Sequence, residues 1–386
     1  MRVNFLSRLF RSKFVVYIQM KKTIITIAVL GFLISCEKPE PAQNEQPYTP
    51  TPAALDLPLH LSNTPYTIPA DNPLTKEGIE LGRHLFYEPK LSIDNTVSCA
   101  SCHKQENAFS DPEQFSKGIN GLLGKRNSMS LVNLVFQDSI FFWDGRARNL
   151  EHQVLFPIED PVEMNEALPN VVSKLKADKK YPDMFFKAFG TREISGDLIF
   201  KAIAQFERSI ISVDSKFDKY IVGKLSLSRE ELNGFNLFRT HPEPKQKLRG
   251  GNCGDCHNTV TFMEKQAVFR NNGLDETFTD EGRKSITKRS FDAGKFRVPS
   301  LRNIALTAPY MHDGRFKTLE EVLDHYNEHI KQSATLDPLI TAASNELDGT
   351  SLGLTEKEKQ DIIKFLHTLT DSSMVSNPKY SKPLDF

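Results

Sequence analysis

Apolar residues recur at helical spacing along the chain, whereas runs with strand-like alternation are few. In the segment after Thr318, one helix face carries apolar or aromatic side chains: Leu319, Val322, Leu323, Tyr326 and Ile330. A second such segment runs from Thr355 to Leu369. Both begin with a Thr that is followed in the first turn by a Glu, the capping box that satisfies the first free amides of a helix. The pattern predicts a mainly α-helical fold.

The second half of the chain repeats the pattern of the first. The corresponding segments are Gly82–Phe86 and Gly234–Phe238, Ser130–Leu134 and Ser300–Ile304, and Asp144–Arg146 and Asp313–Arg315. After the last pair the halves align without a gap, so that Leu150 corresponds to Leu319. A repeat of this length indicates two copies of one domain. We predict a first domain at residues 71–210, a second at 211–371 and a C-terminal tail at 372–386.

The N-terminus has the composition of an export signal. Two lysines after Met20 precede a short apolar run at residues 23–34, which is hardly long enough to span a bilayer. The run ends in Leu-Ile-Ser-Cys, which resembles a bacterial lipobox and makes Cys36 the predicted lipid-carrying residue. A plain signal peptide and a membrane helix are the alternatives. We predict a signal at residues 1–36 and a disordered tether at 37–70, with translation starting at Met1 or at Met20.

Charge and cysteine content narrow the partners and the chemistry. The 49 basic and 49 acidic residues balance, which argues against nucleic acid as a partner, because phosphate neutralisation requires a basic excess. There are five cysteines. Apart from Cys36, they form two closely spaced pairs, Cys99 with Cys102 and Cys253 with Cys256.

Each pair belongs to a CxxCH motif, completed by His103 in the first half and by His257 in the second. This motif attaches a c-type haem: the thiols form thioethers, and the histidine reaches the iron. There are two alternatives: a zinc site made by all four thiolates, or two disulfides. A zinc site, however, does not require a histidine after each pair. The sequence therefore predicts two covalently bound c-type haems.

The residues on the far side of each iron decide between electron transfer and catalysis, because only an open iron can bind peroxide. Tyr326 is either a ligand of the second iron or a packed core aromatic. Its neighbours His325 and His329 lie on other helix faces and are predicted to be exposed. Through the gapless repeat Tyr326 corresponds to Pro157, which has no donor atom. The residue at this helix position can therefore ligate the second iron but not the first.

Two further side chains are candidates for chemistry at the first haem. Glu163 would transfer the proton of bound peroxide if it lay near the iron, and is otherwise an ordinary surface carboxylate. Trp143, the single tryptophan, immediately precedes the first Asp-Gly-Arg segment. It either relays electrons between the haems or is a core residue whose indole N–H needs a partner.

Together these motifs resemble the bacterial dihaem cytochrome c peroxidase family, which includes a MauG-like branch. The resemblance covers about residues 70–371. Besides the CxxCH motifs it rests on Phe142–Arg146, Pro161–Met164, Leu301–Asn303 and Pro309–Gly314. It implies two tandem cytochrome c-like domains, each of which binds one haem.

The resemblance also implies roles for individual residues. They are His103 as proximal ligand of the peroxidatic haem, His257 as ligand of the electron-transfer haem, Glu163 as acid–base residue, Gln153 as its support and Trp143 as the bridge between haems. It further implies a calcium ion bound by Asn127 and by the backbone carbonyls of Thr307 and Pro309. The sequence without the resemblance does not suggest calcium.

The chain departs from typical members at two places. Typical members carry a methionine ligand at the position of Tyr326. The MauG-like branch carries a tyrosine there, as this chain does. Typical members also carry a displaceable distal histidine, but the segment Lys104–Phe142 contains no histidine. We therefore predict a permanently open first haem that reacts with peroxide in the diferric protein, without reductive activation. A tyrosinate is a hard anionic ligand and favours ferric iron, which agrees with this prediction.

The predicted function is reduction of hydrogen peroxide with electrons from a small cytochrome c or a cupredoxin. One alternative is MauG-like oxidation of side chains on a partner protein. Another is a non-catalytic dihaem electron carrier, in which both irons would have two strong ligands. We expect an exported lipoprotein, anchored to a membrane in the periplasm or the outer envelope. The sequence leaves a homodimer open.

Overall fold

Helices carry the architecture, as the apolar periodicity predicts. The structure, a computed structural model, describes residues 47–137, 139–258, 261–263 and 267–384. The predicted signal and Cys36 lie outside the described residues. Within them, no helix combines the length and the apolar character that crossing a membrane requires.

The described α-helices are α1 (Leu59–Ser62), α2 (Lys76–Phe86), α3 (Cys99–Cys102), α4 (Leu150–Glu159), α5 (Leu168–Ala177), α6 (Lys180–Phe189), α7 (Gly196–Ser209), α8 (Lys216–Ile221), α9 (Arg229–Arg239), α10 (Lys284–Thr287), α11 (Leu319–Glu328), α12 (Pro338–Thr341), α13 (Glu356–His367) and α14 (Ser372–Val375). Short 3-10 turns lie at Pro89–Leu91, Gln105–Asn107, Ile119–Gly121, Leu134–Phe136, Pro244–Gln246, Cys253–Asp255, Ser290–Asp292 and Ile304–Leu306. Two short strands, β1 (Phe269–Arg270) and β2 (Phe296–Arg297), pair antiparallel. The prediction of a mainly helical fold is confirmed.

The core of the first half forms where α2 crosses α7. Gly82 of α2 lies so close to α7 that an added Cβ would come within 1.9 Å of the carbonyl oxygen of Ala202. The crossing therefore requires glycine on α2. The buried apolar side chains around it all come from the first half and include Leu81, Leu85, Val171, Phe185, Ile199 and Ile203.

The core of the second half forms in the same way where α9 crosses α13. An added Cβ at Gly234 of α9 would likewise come within 1.9 Å of a carbonyl oxygen, that of Asp361. The buried apolar side chains around this crossing all come from the second half and include Leu237, Phe238, Ile362, Phe365 and Leu366. Each half thus has its own core.

The repeat extends to the turns between the helices. Asn133 and Asn303 both adopt the left-handed conformation, with φ of 63° and 60°. Each donates its backbone amide to the end of its own half, Asn133 to the Ile210 carbonyl at 2.9 Å and Asn303 to the Leu369 carbonyl at 3.1 Å. Asparagine tolerates positive φ better than most residues. The repetition seen in the sequence is therefore also a repetition of backbone geometry.

Alanine at either crossing glycine should destabilise the protein. We expect Gly82→Ala and Gly234→Ala each to lower the free energy of unfolding by about 1–3 kcal/mol, because the crossing helices must separate. The control is Gly124→Ala, whose added Cβ would meet no atom closer than 3.7 Å. Chemical denaturation of the purified protein measures all three variants. Equal stabilities of the three would contradict the close packing of the helices.

The prediction of a disordered tether is wrong for residues 48–70. The Tyr48 hydroxyl donates to a backbone carbonyl of α6 at 3.0 Å, and Leu61 is fully buried. His60 places Nε2 2.8 Å from the Asp218 carboxylate in the second half. The segment is held by single anchoring side chains rather than by one helix face, so it carries no periodic signal in the sequence.

The predicted C-terminal tail also packs on the fold rather than extending beyond it. Met374 and Tyr380 are each only 1% exposed and join a cluster that contains Phe86 and Phe109 of the first half. The Tyr380 hydroxyl also accepts the backbone amide of Ile211 at 3.0 Å. The folded part therefore extends past residue 371, because the tail returns to the first half and covers its core.

Candidate functional site

Both CxxCH motifs open into one connected cavity of about 1410 Å³. Its lining includes Cys99, Cys102, His103, Cys253, Cys256 and His257. Cavities for single small molecules usually measure about 300–1,000 Å³. The volume and the lining therefore suit two large groups, one at each motif.

The first motif is positioned by the short helix α3. Ser98 and Ser101 form a capping box that fixes the start of this helix. The Nδ1 of His103 lies 2.9 Å from the carbonyl oxygen of Phe109, which can only accept a hydrogen bond. The ring proton is thus held at Nδ1, and Nε2 keeps its lone pair for a metal. Burial lowers the pKa of His103, which also favours the neutral ring.

The second motif repeats this arrangement on a 3-10 turn, Cys253–Asp255. The Nδ1 of His257 lies 3.3 Å from the carbonyl oxygen of Phe262. Burial lowers the pKa of His257 to about 4, so the imidazole is neutral at neutral pH. A neutral ring with one nitrogen held by the backbone is the form in which histidine ligates a metal.

The donor set fits two c-type haems better than the alternatives from the sequence. No disulfide joins the four motif cysteines, Cys99, Cys102, Cys253 and Cys256. No group of three or more Cys, His, Asp or Glu side chains comes together as a metal site in the described part of the chain. The four thiols are therefore not arranged around one zinc ion.

Tyr326 lies on α11 beside the second motif. Its hydroxyl accepts a hydrogen bond from Asn272 Nδ2 at 3.2 Å. Burial raises the pKa of Tyr326 to about 12, and the nearby thiols of Cys256 and Cys253 act in the same direction. The structure thus brings together the phenol and the motif that the sequence analysis connected.

The predicted exposure of His325 is wrong. This residue is only 4% exposed, and its Nε2 donates to the backbone carbonyl of Asn272 at 3.0 Å. The face of α11 opposite the core is covered by the loop that follows β1, which the helical periodicity does not reveal. His329 is exposed, as predicted.

On the corresponding wall of the first half, Pro157 occupies the same position in α4 that Tyr326 occupies in α11. Glu163 follows in the turn after α4, where its carbonyl accepts the backbone amide of Ile119 at 2.9 Å. Gly118 lies so close to this turn that an added Cβ would come within 1.8 Å of the Val162 carbonyl oxygen. The backbone that carries Glu163 is thus clamped against the loop that contains Gly118.

The Glu163 side chain lines the cavity and has no hydrogen-bond partner among the described residues. Burial raises its pKa, the nearby Asp160 adds to the rise, and Arg146 opposes it. Its charge contributes to raising the pKa of both Cys99 and Cys102, which places the carboxylate near the first motif. Such a carboxylate can exchange a proton with a molecule in the cavity.

Two further predicted residues, Gln153 and Trp143, also line the cavity. The Oε1 of Gln153 is buried and has no hydrogen-bond partner among the described residues. Trp143 donates its indole N–H to the Asn127 carbonyl at 2.8 Å. The backbone amide of Asn127 in turn donates to the backbone carbonyl of His312. His312 is the counterpart of Trp143 in the repeat. Trp143 is therefore held where the two halves meet.

Histidines are sparse on the cavity wall. The chain has ten, and those that line the cavity within the described residues are His103, His257 and His312. The first two belong to the CxxCH motifs, and His312 belongs to the second half. Apart from His103, the described wall of the first half thus presents no imidazole to the cavity.

The residues of the predicted calcium site all line the cavity: Asn127, Thr307 and Pro309. The side-chain amide of Asn127 donates to the Glu113 carbonyl at 3.1 Å, which leaves its oxygen as the atom that can ligate. Amide and carbonyl oxygens are ligands that calcium accepts. Asn127 is also hydrogen-bonded to Trp143 and His312. It therefore links the two halves, whether or not an ion is bound.

Glu207 on α7 was not among the residues predicted from the sequence. This residue is 3% exposed and lines the cavity, and its Oε2 has no hydrogen-bond partner among the described residues. Burial raises its pKa to about 8, with Arg208 opposing and Glu151 adding to the rise. A signal was present, because Glu207 lies at helical spacing from the buried Ile203 and Ile210 and thus on an apolar face. A carboxyl on such a face is therefore a candidate for the wall of a cavity.

Comparison with known proteins gives a consistent result. Residues 76–226 match the family model described as di-haem cytochrome c peroxidase. The chain is 34% identical to methylamine utilization protein MauG of Methylorubrum extorquens over 305 residues, which are 78% of this chain and 80% of that protein. It is 36% identical to the cytochrome c551 peroxidase of Nitrosomonas europaea over 265 residues, 67% of this chain and 75% of that protein.

Among solved structures, the fold is similar to the crystal structure of a MauG-like protein associated with microbial copper homeostasis. The TM-score is 0.76 and the sequence identity 36%, and the match covers 86% of this chain and 99% of that one.

Proposed function

The chain belongs to the di-haem cytochrome c peroxidase family, and from this premise we propose that it reduces hydrogen peroxide to water at one haem with electrons that enter through the other. Members are peroxidases, a class of oxidoreductase, and carry two c-type haems. For this chain, we assign the peroxide reaction to the haem at His103 and electron entry to the haem at His257. The electron donor would be a small cytochrome c or a cupredoxin.

The observation that carries the proposal is the difference between two equivalent walls. Pro157 and Tyr326 occupy the same position of two corresponding helices, and only the second has an atom that can bind iron. Glu163 adds a carboxylate without a hydrogen-bond partner near the first motif. One centre is thus arranged for a reacting molecule and the other for stable ligation.

The residues divide the work as follows. The four motif cysteines would hold the haems as thioethers, His103 and His257 would ligate the irons through Nε2, and Tyr326 would be a further ligand of the second iron. When bound, the haems supply the redox chemistry of peroxide cleavage and electron transfer. Trp143, held at the meeting of the halves, provides an aromatic path between them.

Glu163 moves the proton that cleavage of the O–O bond requires. Its carboxylate accepts a proton from one oxygen of the entering peroxide and returns it to the other oxygen, which leaves as water. Two electrons, which the haems would supply, and two further protons complete the reduction of peroxide to two waters. Gln153, whose buried Oε1 can accept a hydrogen bond, orients the peroxide beside Glu163.

The activity should depend on pH through Glu163. We expect the rate of peroxide cleavage to fall on acidification, because only the ionised carboxylate can accept the proton of peroxide. Since burial raises the pKa of Glu163, this loss should occur at a higher pH than for an ordinary glutamate. Stopped-flow rates across the acidic range measure it. Persistence of the same acidic limb in Glu163→Gln would assign the titration to another group.

The proposal also includes direct reaction of the diferric protein, without prior reduction. Support comes from the first wall, where the described residues that line the cavity include no histidine besides His103. The test combines two measurements on the purified ferric protein. Electron paramagnetic resonance should show a high-spin signal from half of the haem, and mixing with peroxide should change the haem spectrum rapidly. Low-spin signals from all of the haem would refute direct reaction of the diferric protein, whereas a high-spin signal from half of it would exclude a non-catalytic carrier.

A second candidate function is oxidation of side chains on a partner protein. It is favoured by Tyr326, the feature shared with the MauG-like branch, and by the relatives named MauG. The two functions separate in one comparison. Peroxide turnover with a reduced small cytochrome c supports the first, whereas slow turnover together with peroxide-dependent modification of a co-purified protein supports the second.

The domain organisation and the calcium ion are part of the proposal. Two separate cores and matching turns support tandem cytochrome c-like domains at about residues 71–210 and 211–371, with the segments 48–70 and 372–384 packed on them. Asn127, Thr307 and Pro309 would hold calcium where the halves meet. Elemental analysis after removal of loosely bound ions tests this site.

We also propose that the protein is exported and anchored through a lipid on Cys36. The support is the sequence of residues 20–36, since the lipobox pattern ends at this cysteine. Mass spectrometry of the mature N-terminus tests it, and Cys36→Ser should release the protein from the membrane fraction. The elution volume of the purified protein on a sizing column would decide between monomer and homodimer.

A further inference from the structure

Asn272 places one amide nitrogen between two side chains that can each ligate iron. Its Nδ2 lies 3.2 Å from the phenol oxygen of Tyr326 and 3.4 Å from the sulfur of Met311. All three residues line the cavity that contains the second CxxCH motif. Because an amide NH₂ has two hydrogens, it can donate one to each acceptor. The phenol oxygen and the thioether sulfur therefore approach the same part of the cavity.

The backbone around Asn272 is firmly held. The neighbouring Asn271 is 1% exposed, and its side-chain amide donates to the hydroxyls of Ser333 and Thr335 at 2.9 and 3.0 Å. The Gly273 amide donates to the Asn271 side chain at 2.9 Å. The position from which the Asn272 side chain projects is thus fixed by the surrounding loop.

Asn272 also contacts the helix that carries Tyr326. The backbone carbonyl of Asn272 accepts a hydrogen bond from His325 Nε2 at 3.0 Å, while its side chain contacts the next residue, Tyr326. Two contacts to consecutive residues of α11 fix the rotation of that helix relative to the loop. They therefore also fix the direction in which the phenol points.

Met311 is directed by a tight turn. Its φ is 74°, in the left-handed region that non-glycine residues rarely adopt, and its carbonyl accepts the Gly314 amide at 3.3 Å. The corresponding Phe142 in the first half has a φ of 70° and the same hydrogen bond to Gly145. The turn is thus a repeated feature of the fold, and in the second half it places a sulfur beside Asn272.

We propose that Asn272 is a positioning residue that selects the ligand of the second haem iron, by holding the phenol oxygen of Tyr326 in place and restraining the sulfur of Met311. The inference rests on the proposed ligation by Tyr326 and names a second ligand that competes with it. A hydrogen bond to a phenolate oxygen stabilises the charge it carries when it binds ferric iron. A hydrogen bond to sulfur occupies a lone pair that a thioether would use to bind iron.

The choice of ligand matters because the two atoms favour different oxidation states. A phenolate is hard and anionic and stabilises ferric iron, whereas a thioether is soft, neutral and favours ferrous iron. Selection of Tyr326 over Met311 therefore keeps the second haem at a lower reduction potential. Asn272 would set that potential without touching the iron.

Asn272→Leu tests the proposal, since leucine is similar in size but has no donor. Loss of one charge-assisted hydrogen bond should shift the ligand equilibrium from phenolate toward thioether by about tenfold to a hundredfold. Electron paramagnetic resonance and optical spectra of the ferric protein should then show a thioether-ligated fraction at the second haem. Its reduction potential should rise, while the signal of the first haem stays the same.

Two further variants identify the cause of the change. Met311→Leu should leave the ferric spectrum unaltered, because the sulfur is not the ligand in the original protein. In Asn272→Leu/Met311→Leu the thioether fraction should disappear. An unchanged second-haem spectrum and potential in Asn272→Leu would overturn the selection by Asn272. Should Tyr326→Phe also leave the second haem unchanged, the ligand assignment itself would be wrong, which distinguishes the two failures.

Discussion

Replacement of Glu163 by glutamine is expected to slow the cleavage of peroxide by roughly 10²–10⁴-fold, the usual contribution of a positioned acid–base group. Glutamine is nearly the same size, so the clamped turn at Gly118 and Ile119 should be preserved. It cannot accept the proton of peroxide, and the carboxylate it replaces has no hydrogen-bond partner in the described residues whose loss would confuse the result. Stopped-flow measurement of the haem spectral change after mixing with peroxide gives the rate.

The matched control for Glu163→Gln is Glu159→Gln. Glu159 is an exposed glutamate at the end of α4, on the same element but away from the cavity. This variant should react at the original rate. Both variants should keep the ferric spectra of the two haems, which shows that ligation is intact. An unchanged rate in Glu163→Gln would remove this carboxylate from the mechanism.

Tyr326→Phe should abolish the native ferric spectrum of the second haem. The phenol oxygen is lost, so that iron either stays without a ligand on this side or takes the sulfur of Met311, which lies against the same amide nitrogen of Asn272. In the first case half of the haem changes from low to high spin, and in the second the reduction potential rises. The first haem, bounded by Pro157 on the equivalent wall, should keep its signal.

The matched control for Tyr326→Phe is Tyr310→Phe. Tyr310 is also buried on the cavity wall, and burial likewise raises its pKa to about 12. Its hydroxyl, however, donates to the carbonyl of Ile304 at 3.1 Å and is thereby occupied with the backbone. Electron paramagnetic resonance and redox titration of both variants should show a change at the second haem for Tyr326 alone. An effect of equal size in Tyr310→Phe would point to a general disturbance of the cavity.

Local sequence patterns were sufficient to predict those features that depend on residues close together in the sequence. The two CxxCH motifs, the capping boxes at Thr318 and Thr355, and the helical periodicity each lie within a few residues, and the structure has the corresponding helices. The gapless repeat also aligns Pro157 with Tyr326, and in the structure both occupy the same helix position. The difference between the two cavity walls could therefore be predicted from the sequence.

Other features depend on contacts between distant segments and carried no local signal. The segment 48–70 packs through isolated side chains such as Leu61, and Tyr380 returns to the core of the first half, so neither showed periodicity. His325 is buried because a loop from elsewhere covers its helix face. Which apolar face meets which neighbour is decided by the whole fold, not by the helix alone.

The sequence by itself determined the helical class, the internal repeat of sequence segments, the two haem-attachment motifs and the difference between Pro157 and Tyr326, because each of these is a property of residue type and spacing. Only the tertiary structure decided that Glu163 lines the cavity, that Glu207 is buried on its wall, and that Asn272 lies between Tyr326 and Met311. The reason is physical: pKa values and ligand choice depend on distances of a few ångströms and on burial, and both arise only when segments far apart in the chain pack together.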